Sequence, residues 1–133
     1  KDGYIGEGIV LLPAPDALGK ARFAEKWLRE RFKILGVEFE ELRIDYIGIN
    51  ALSGEVTEIE DKDYNEIGLR VAGKAKTREA AEAVRREATH LWTQGPVGSS
   101  FGVPMKVRSV IKLWPTLVPR DAVRVESQLM EVK

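Results

Sequence analysis

Apolar and polar positions along the chain alternate between two periods, and each change of period marks an element. Residues 4–12, Tyr-Ile-Gly-Glu-Gly-Ile-Val-Leu-Leu, form a short β-rich run with two glycines, closed off by Pro13 and Pro15. From Asp16, a good N-cap residue, the period becomes helical. Ala17, Ala21, Ala24, Leu28, Phe32 and Leu35 fall on one stripe, Phe23, Trp27 and Ile34 widen it, and Gly36 is suited to end the helix in the left-handed conformation. Residues 40–50 then alternate, with Leu42, Ile44 and Tyr46 on one side and Arg43 and Asp45 on the other, as a half-buried strand requires. Residues 51–65, with Gly54 and many acids, read as a loop. Alternation resumes over 66–76, where Ile67, Leu69, Val71 and Ala75 oppose Glu66, Arg70 and Lys74. Thr77 is placed to cap a second helix with the stripe Ala81, Val84, Ala88 and Leu91, which ends by Gly95. Residues 103–114 predict a last clear strand, with Met105, Val107, Ile111 and Leu113 opposite Lys106, Arg108 and Lys112. Pro115 and Pro119 follow, and weak alternation from Val123 suggests a fifth strand.

The order β-α-β-β-α-β predicts helices over about 16–36 and 77–94 and a four-stranded antiparallel sheet in the order 4-1-3-2. Both helices then lie on one face. This is a ferredoxin-like, two-layer α+β domain spanning residues 1–133. The opposite sheet face is left without helices, and by alternation it carries Glu7, Arg43, Asp45, Arg70, Lys74, Lys106, Arg108 and Lys112. Strand one sits between strands three and four, so Glu7 is expected between Arg70 and Arg108, beside Ile5, Ile9 and Leu11. Gly6 and Gly8 then face the helices, where a missing side chain permits close approach.

Composition narrows what such a domain can do. The 133 residues fit one domain and can bury enough surface to fold without staples. Cysteine is absent, which excludes a disulfide framework, a thiolate metal site and a cysteine nucleophile. His90 is the sole histidine, so no zinc site is assigned. Lysine plus arginine and aspartate plus glutamate both number 21, giving zero formal charge. That argues against nucleic acid or an acidic membrane as partner, and neutral domains tend to associate. There is no membrane-length apolar run and no signal peptide, so a cytoplasmic protein is expected. The chain opens Lys1-Asp2-Gly3 without a methionine and reads as part of a longer polypeptide.

Motifs that would carry chemistry fall short. Asp61-Lys62-Asp63-Tyr64-Asn65 opens like a calcium loop, but its sixth and twelfth positions are Glu66 and Ala72, not glycine and glutamate. His90 near the end of the second helix suits the helix dipole, and no serine motif accompanies it. Trp27 and Trp92 read as core or core edge, whereas Trp114 is free to meet a partner. The third strand carries no aromatic, against an RNA-recognition domain. Residues 12–16 lack the glycines and arginine of an acylphosphatase loop. The segment Gly95-Pro96-Val97-Gly98-Ser99-Ser100-Phe101-Gly102 closes a helix, the wrong end of the dipole for an anion. It is either a plain connection or a loop that reaches a ligand or a neighbouring domain. The candidate binding or interface residues are thus Glu7, Arg70 and Arg108 on the open face and Gly95, Pro96, Gly98, Ser99 and Ser100 in this loop. No catalytic residue, metal ligand or cofactor is assigned.

Four segments together carry a family resemblance: residues 2–8 (Asp-Gly-Tyr-Ile-Gly-Glu-Gly), 42–48 (Leu-Arg-Ile-Asp-Tyr-Ile-Gly), 91–98 (Leu-Trp-Thr-Gln-Gly-Pro-Val-Gly) and 117–123 (Leu-Val-Pro-Arg-Asp-Ala-Val). Their order and spacing resemble the C-terminal region of the AtuA-like family of acyclic terpene utilisation proteins. In that family the loop after Gly-Pro is usually a run of glycines; here it is Val97-Gly98-Ser99-Ser100-Phe101-Gly102. The resemblance implies the C-terminal part of a larger cytoplasmic catabolic protein, preceded by an α/β domain. It also implies a role in breaking down acyclic isoprenoids or related branched acyl compounds, often as CoA thioesters. The expected role for this region is a docking or ligand-covering module, with the upstream α/β domain and an acyl or isoprenoid small molecule as partners. Two alternatives stay open: a small-molecule regulatory domain in a homodimer, and part of an acyl-CoA enzyme whose site lies at the interface with the upstream domain.

Overall fold

The computed structural model describes residues 2–102, 106–124 and 126–131. The elements run β1 (Tyr4–Pro13), α1 (Ala17–Ile34), β2 (Glu41–Ile47), β3 (Glu66–Ala75), α2 (Arg78–Gln94), β4 (Ser100–Phe101) and β5 (Arg108–Ser109), with short 3-10 turns at Gly54–Val56 and Arg120–Ala122. The sheet order is β2-β3-β1-β4, with β5 also paired to β1, and every pairing is antiparallel. This is the expected 4-1-3-2 order read from the other edge, and the domain is a ferredoxin-like α+β sandwich.

Local chemistry explains the helices. Asp16 accepts the Gly19 N–H at 3.0 Å and Thr77 accepts the Ala80 N–H at 3.2 Å, satisfying donors that a helix leaves open at its start. Gly36, at φ 62°, takes the left-handed turn after α1. The α1 stripe Ala17, Ala21, Ala24, Leu28 and Phe32 is buried, as is the α2 stripe Ala81, Val84, Ala88 and Leu91. They close on Val10, Leu12, Ile67, Leu69 and Val71 from one face of the sheet. Two glycines let α2 sit on that face: a Cβ at Gly6 would collide with the Ala81 carbonyl, and one at Gly8 with the Ala88 methyl.

The structure departs from the sequence expectation at the edges. Strand four was expected over 103–114, of which 103–105 lie outside the described residues; among the described residues the ladder pairs β1 with two short stretches, β4 and β5. The last bonds run from Asp2 N–H to the Val110 carbonyl and from Val110 N–H to the Gly3 carbonyl, 3.0 Å each. Beyond Val110 the chain has passed the start of β1 and has no strand to pair with. Ile111 and Leu113, expected inside, are therefore exposed, while Val107 is buried. Met105 lies outside the described residues. No fifth strand follows Val123 among the described residues. Phe23 and Ile34, expected to widen the α1 stripe, are exposed, and Trp92 is half-exposed, whereas Trp27 packs against the core. Glu66 and Ala72 both lie within β3, so the calcium-like opening has no loop to complete it.

Candidate functional site

The face without helices carries an ion-pair ladder across three full strands and β5. Alternation puts Arg43 and Asp45 of β2, Arg70 of β3, Glu7 of β1 and Arg108 of β5 on this side. Arg43 Nε donates to Asp45 Oδ1 at 2.7 Å, and Arg70 Nη1 donates to Asp45 Oδ2 at 2.8 Å. Arg70 Nε donates to Glu7 Oε1 at 2.8 Å, with Arg70 Nη2 on the same oxygen. Arg108 Nη2 donates to Glu7 Oε2 at 2.9 Å. Glu7 therefore lies between Arg70 and Arg108, as the alternation predicts, and the register of β1 is the expected one. Arg43 is further anchored by the Ala51 carbonyl at 3.1 Å.

Both acids are buried, at 4% exposure each, although no helix covers them. The arginines do the covering: side-chain exposure is 33% for Arg70 in the centre, 51% for Arg43 and 67% for Arg108 at the ends. A desolvated carboxylate is tolerated only when paired and hydrogen-bonded, and each of these meets two guanidinium groups. Burial disfavours the Arg70 charge, but the hydrogen bonds it donates to Glu7 and Asp45 outweigh it and hold its pKa above the usual range. Lys74 extends the charged surface, 3.1 Å from both Asp2 and Glu40, and these two carboxylates raise its pKa.

Chemically, this arrangement is a set of mutually paired charges. Glu7 and Asp45 each accept hydrogen bonds from two arginines. The guanidinium N–H groups of Arg43 and Arg108 not engaged in these bonds are donors whose geometry suits carboxylate or carbonyl oxygens. The depression they border, with Arg70, Ala72 and Lys74, is only about 200 Å³, below the usual size of a small-molecule pocket. Ile5 and Ile9 are half-buried beside the ladder, and Leu11 and Ile47 are 40% exposed.

The glycine-serine loop is built differently from the ladder and lies apart from Glu7. Gly95 N–H and Ser99 Oγ both donate to the Leu91 carbonyl, at 3.0 and 2.9 Å, and Ser99 N–H donates to the Pro96 carbonyl at 3.1 Å. These bonds finish α2. Gly98, at φ 82°, turns the chain beside Pro13, and Ser100 starts β4 opposite Leu11. The loop candidates Gly95, Pro96, Gly98, Ser99 and Ser100 thus form one compact turn, with the Ser99 hydroxyl engaged on the helix end.

One charged centre escaped the sequence pattern. Glu87 on α2 is 1% exposed. It accepts from Arg31 Nε of α1 at 3.0 Å and from Arg86 Nε at 3.4 Å, and lies 3.5 Å from His90 Nδ1. Burial pushes its pKa up, yet Arg31 above all, with His90 and Arg86, brings the net below the ordinary glutamate value. His90 thus meets an acid on its own helix. No cluster of three or more His, Asp or Glu side chains able to hold a metal ion occurs among the described residues. No helix among them is long and apolar enough to cross a membrane.

Fold and site together define a ferredoxin-like domain with an arginine-carboxylate ladder on its uncovered sheet face. The chain matches the family model described as "Acyclic terpene utilisation family protein AtuA" over residues 1–129, and it belongs to that family. No curated protein matches it. Among solved structures, the solution NMR structure of a de novo designed protein with a ferredoxin fold is similar at 14% identity and a TM-score of 0.41. That match covers 85% of this chain and 95% of the designed one.

Proposed function

We propose that this domain is the docking or ligand-covering module of a larger cytoplasmic acyclic terpene utilisation protein, and that it docks through its helix-free sheet face. The observation that carries this reading is the burial of Glu7 and Asp45 on a face that no helix covers among the described residues. A ladder ordered to that degree presents outward donors in fixed positions, and the half-buried aliphatic side chains beside it remain to be covered. Desolvated charge with flanking apolar surface is what a polar interface between domains needs. The partner proposed is the α/β domain upstream in the same polypeptide, with an acyl or isoprenoid compound held between the two. The Gly95–Gly102 turn would contribute at the border of that interface through Ser100, which shares the open face with Leu11.

Charge reversal at the exposed end of the ladder tests this. Arg108→Glu should weaken association of this domain with the separately produced upstream domain by roughly tenfold or more, about 1.4 kcal/mol. Isothermal titration calorimetry measures it, with circular dichroism confirming that the variant is folded. Unchanged association would exclude the open face as the docking surface.

A further inference from the structure

A groove of about 670 Å³ lies on the helix-covered side of the sheet, between α1 and the edge strand β2. Its volume is in the range of small-molecule sites. The groove does not touch the ladder, and the inference from it does not rest on the docking reading.

The floor is apolar. Phe32 and Tyr46 are buried, Val37, Phe39 and Leu42 are half-buried, and Phe32 meets Phe39 edge-on with ring centroids 5.0 Å apart. Tyr46 directs its hydroxyl to Glu25 Oε2 at 2.6 Å. Burial and the Glu25 carboxylate push its phenol pKa upward, so the floor stays uncharged. The rim is made by one face of α1. Arg29 is held by Glu25 and Lys33 by Glu30, at 2.8 Å each, so these four cancel. Among the described residues Arg22 pairs only with Asp61, at 3.7 Å, and both side chains are largely exposed. Lys26 forms no ion pair among the described residues and acts on Glu30 only through its longer-range field. Arg22 and Lys26 are one helical turn apart and so are neighbours on the α1 surface. The groove therefore pairs an uncharged apolar floor with two cations that lack a close, buried counter-charge.

We propose that this groove binds a small amphipathic anion, an apolar chain bearing one carboxylate, with the chain along Phe32, Val37, Phe39, Leu42 and Tyr46 and the head between Arg22 and Lys26. A neutral chain of the same length gains the floor alone. A cationic one gains the floor and is repelled at the rim.

The probe is n-decanoate below its aggregation concentration, titrated into the 133-residue chain and followed by backbone amide NMR shifts and calorimetry. Decanol and decyltrimethylammonium serve as comparisons. Expected are saturable shifts centred on residues 22–33 and 37–46, and affinity for decanoate at least tenfold above that for either comparison. The double variant Arg22→Glu/Lys26→Glu, changed only at exposed side chains, should lose at least tenfold for decanoate and keep decanol binding within twofold. Its amide spectrum verifies the fold. Equal affinity for the three probes would overturn the proposal, as would no saturation up to the solubility limit or shifts centred on the ladder. Concentration-dependent shifts over 41–47 without any probe would also overturn it, since a second copy of the chain would then occupy the edge of β2.

Discussion

Single residues decide how closely the helices meet the sheet and how the domain responds to acid. Gly6 is fixed by contact: a methyl there would run into the Ala81 carbonyl, which belongs to helix backbone and cannot swing aside. Gly6→Ala should therefore cost about 2–3 kcal/mol, the upper part of the overpacking range, read from the urea midpoint. A loss under about 0.5 kcal/mol would mean α2 shifts without strain. Gly6 was legible because strict alternation assigns a side to every residue of β1. Glu87 was not: it borders the stripe of Ala81, Val84 and Ala88 on a helix rich in charge, and its main partner, Arg31, is 56 residues away. Its carboxyl has a folded pKa below the ordinary glutamate value of 4.5, so the stability it adds is present above 4.5 and lost as pH falls through the folded value. Glu87→Gln should lower stability by about 1 kcal/mol at pH 7, a small figure because the arginines stay partly solvated. The gap between the two proteins should close on acidification below 4.5. Urea melts at pH 7 and at stepped acid pH check this; a gap that persists unchanged would show that Glu87 contributes packing and not charge.

At the scale of elements, structure was legible in the sequence wherever alternation or a helical stripe ran long enough to be over-determined. β1 and β3 each run 10 residues and pair along their full length, so register and order followed from the pattern. The fourth strand failed because alternation describes a face and says nothing about whether a partner is present. Lys106 to Leu113 alternates well in sequence, yet β1 runs out opposite Val110. The same limit hid the groove: its floor combines Phe32 of α1, Val37 and Phe39 of a connection and Leu42 of β2, which share no period. Val110 is the last residue with a ladder bond, donating its N–H to Gly3. Val110→Pro removes that donor and should loosen the β5 edge by about 1–2 kcal/mol locally, while β1 remains held by β3. Hydrogen exchange should then speed up at Asp2 and Ser109 with little change at Leu69 or Val71. Uniform acceleration through β3 would mean that the edge and the core open as one unit.

At the scale of the whole molecule, the domain separates into a packed body and a segment from Ile111 onward whose described residues contribute nothing to the core. Ile111, Leu113 and Trp114 are 84%, 87% and 80% exposed, and Leu117, Leu129 and Met130 are as open or more so. Side chains that are wet in the folded state gain nothing from folding, because hydrophobic stabilisation scales with area removed from water. Ending the chain after Val110 should therefore leave the urea midpoint within about 0.5 kcal/mol of the 133-residue chain, as for surface changes generally. It should also reduce self-association, since exposed apolar residues promote it. Sedimentation velocity at stepped concentration measures the second effect and urea unfolding the first. A loss above about 2 kcal/mol would show that the segment packs on the body after all. If stability holds and association with the proposed upstream domain falls both with the truncation and with Arg108→Glu, the segment and the ladder belong to one docking surface, because Arg108 lies three residues before this segment and faces the uncovered side of the sheet.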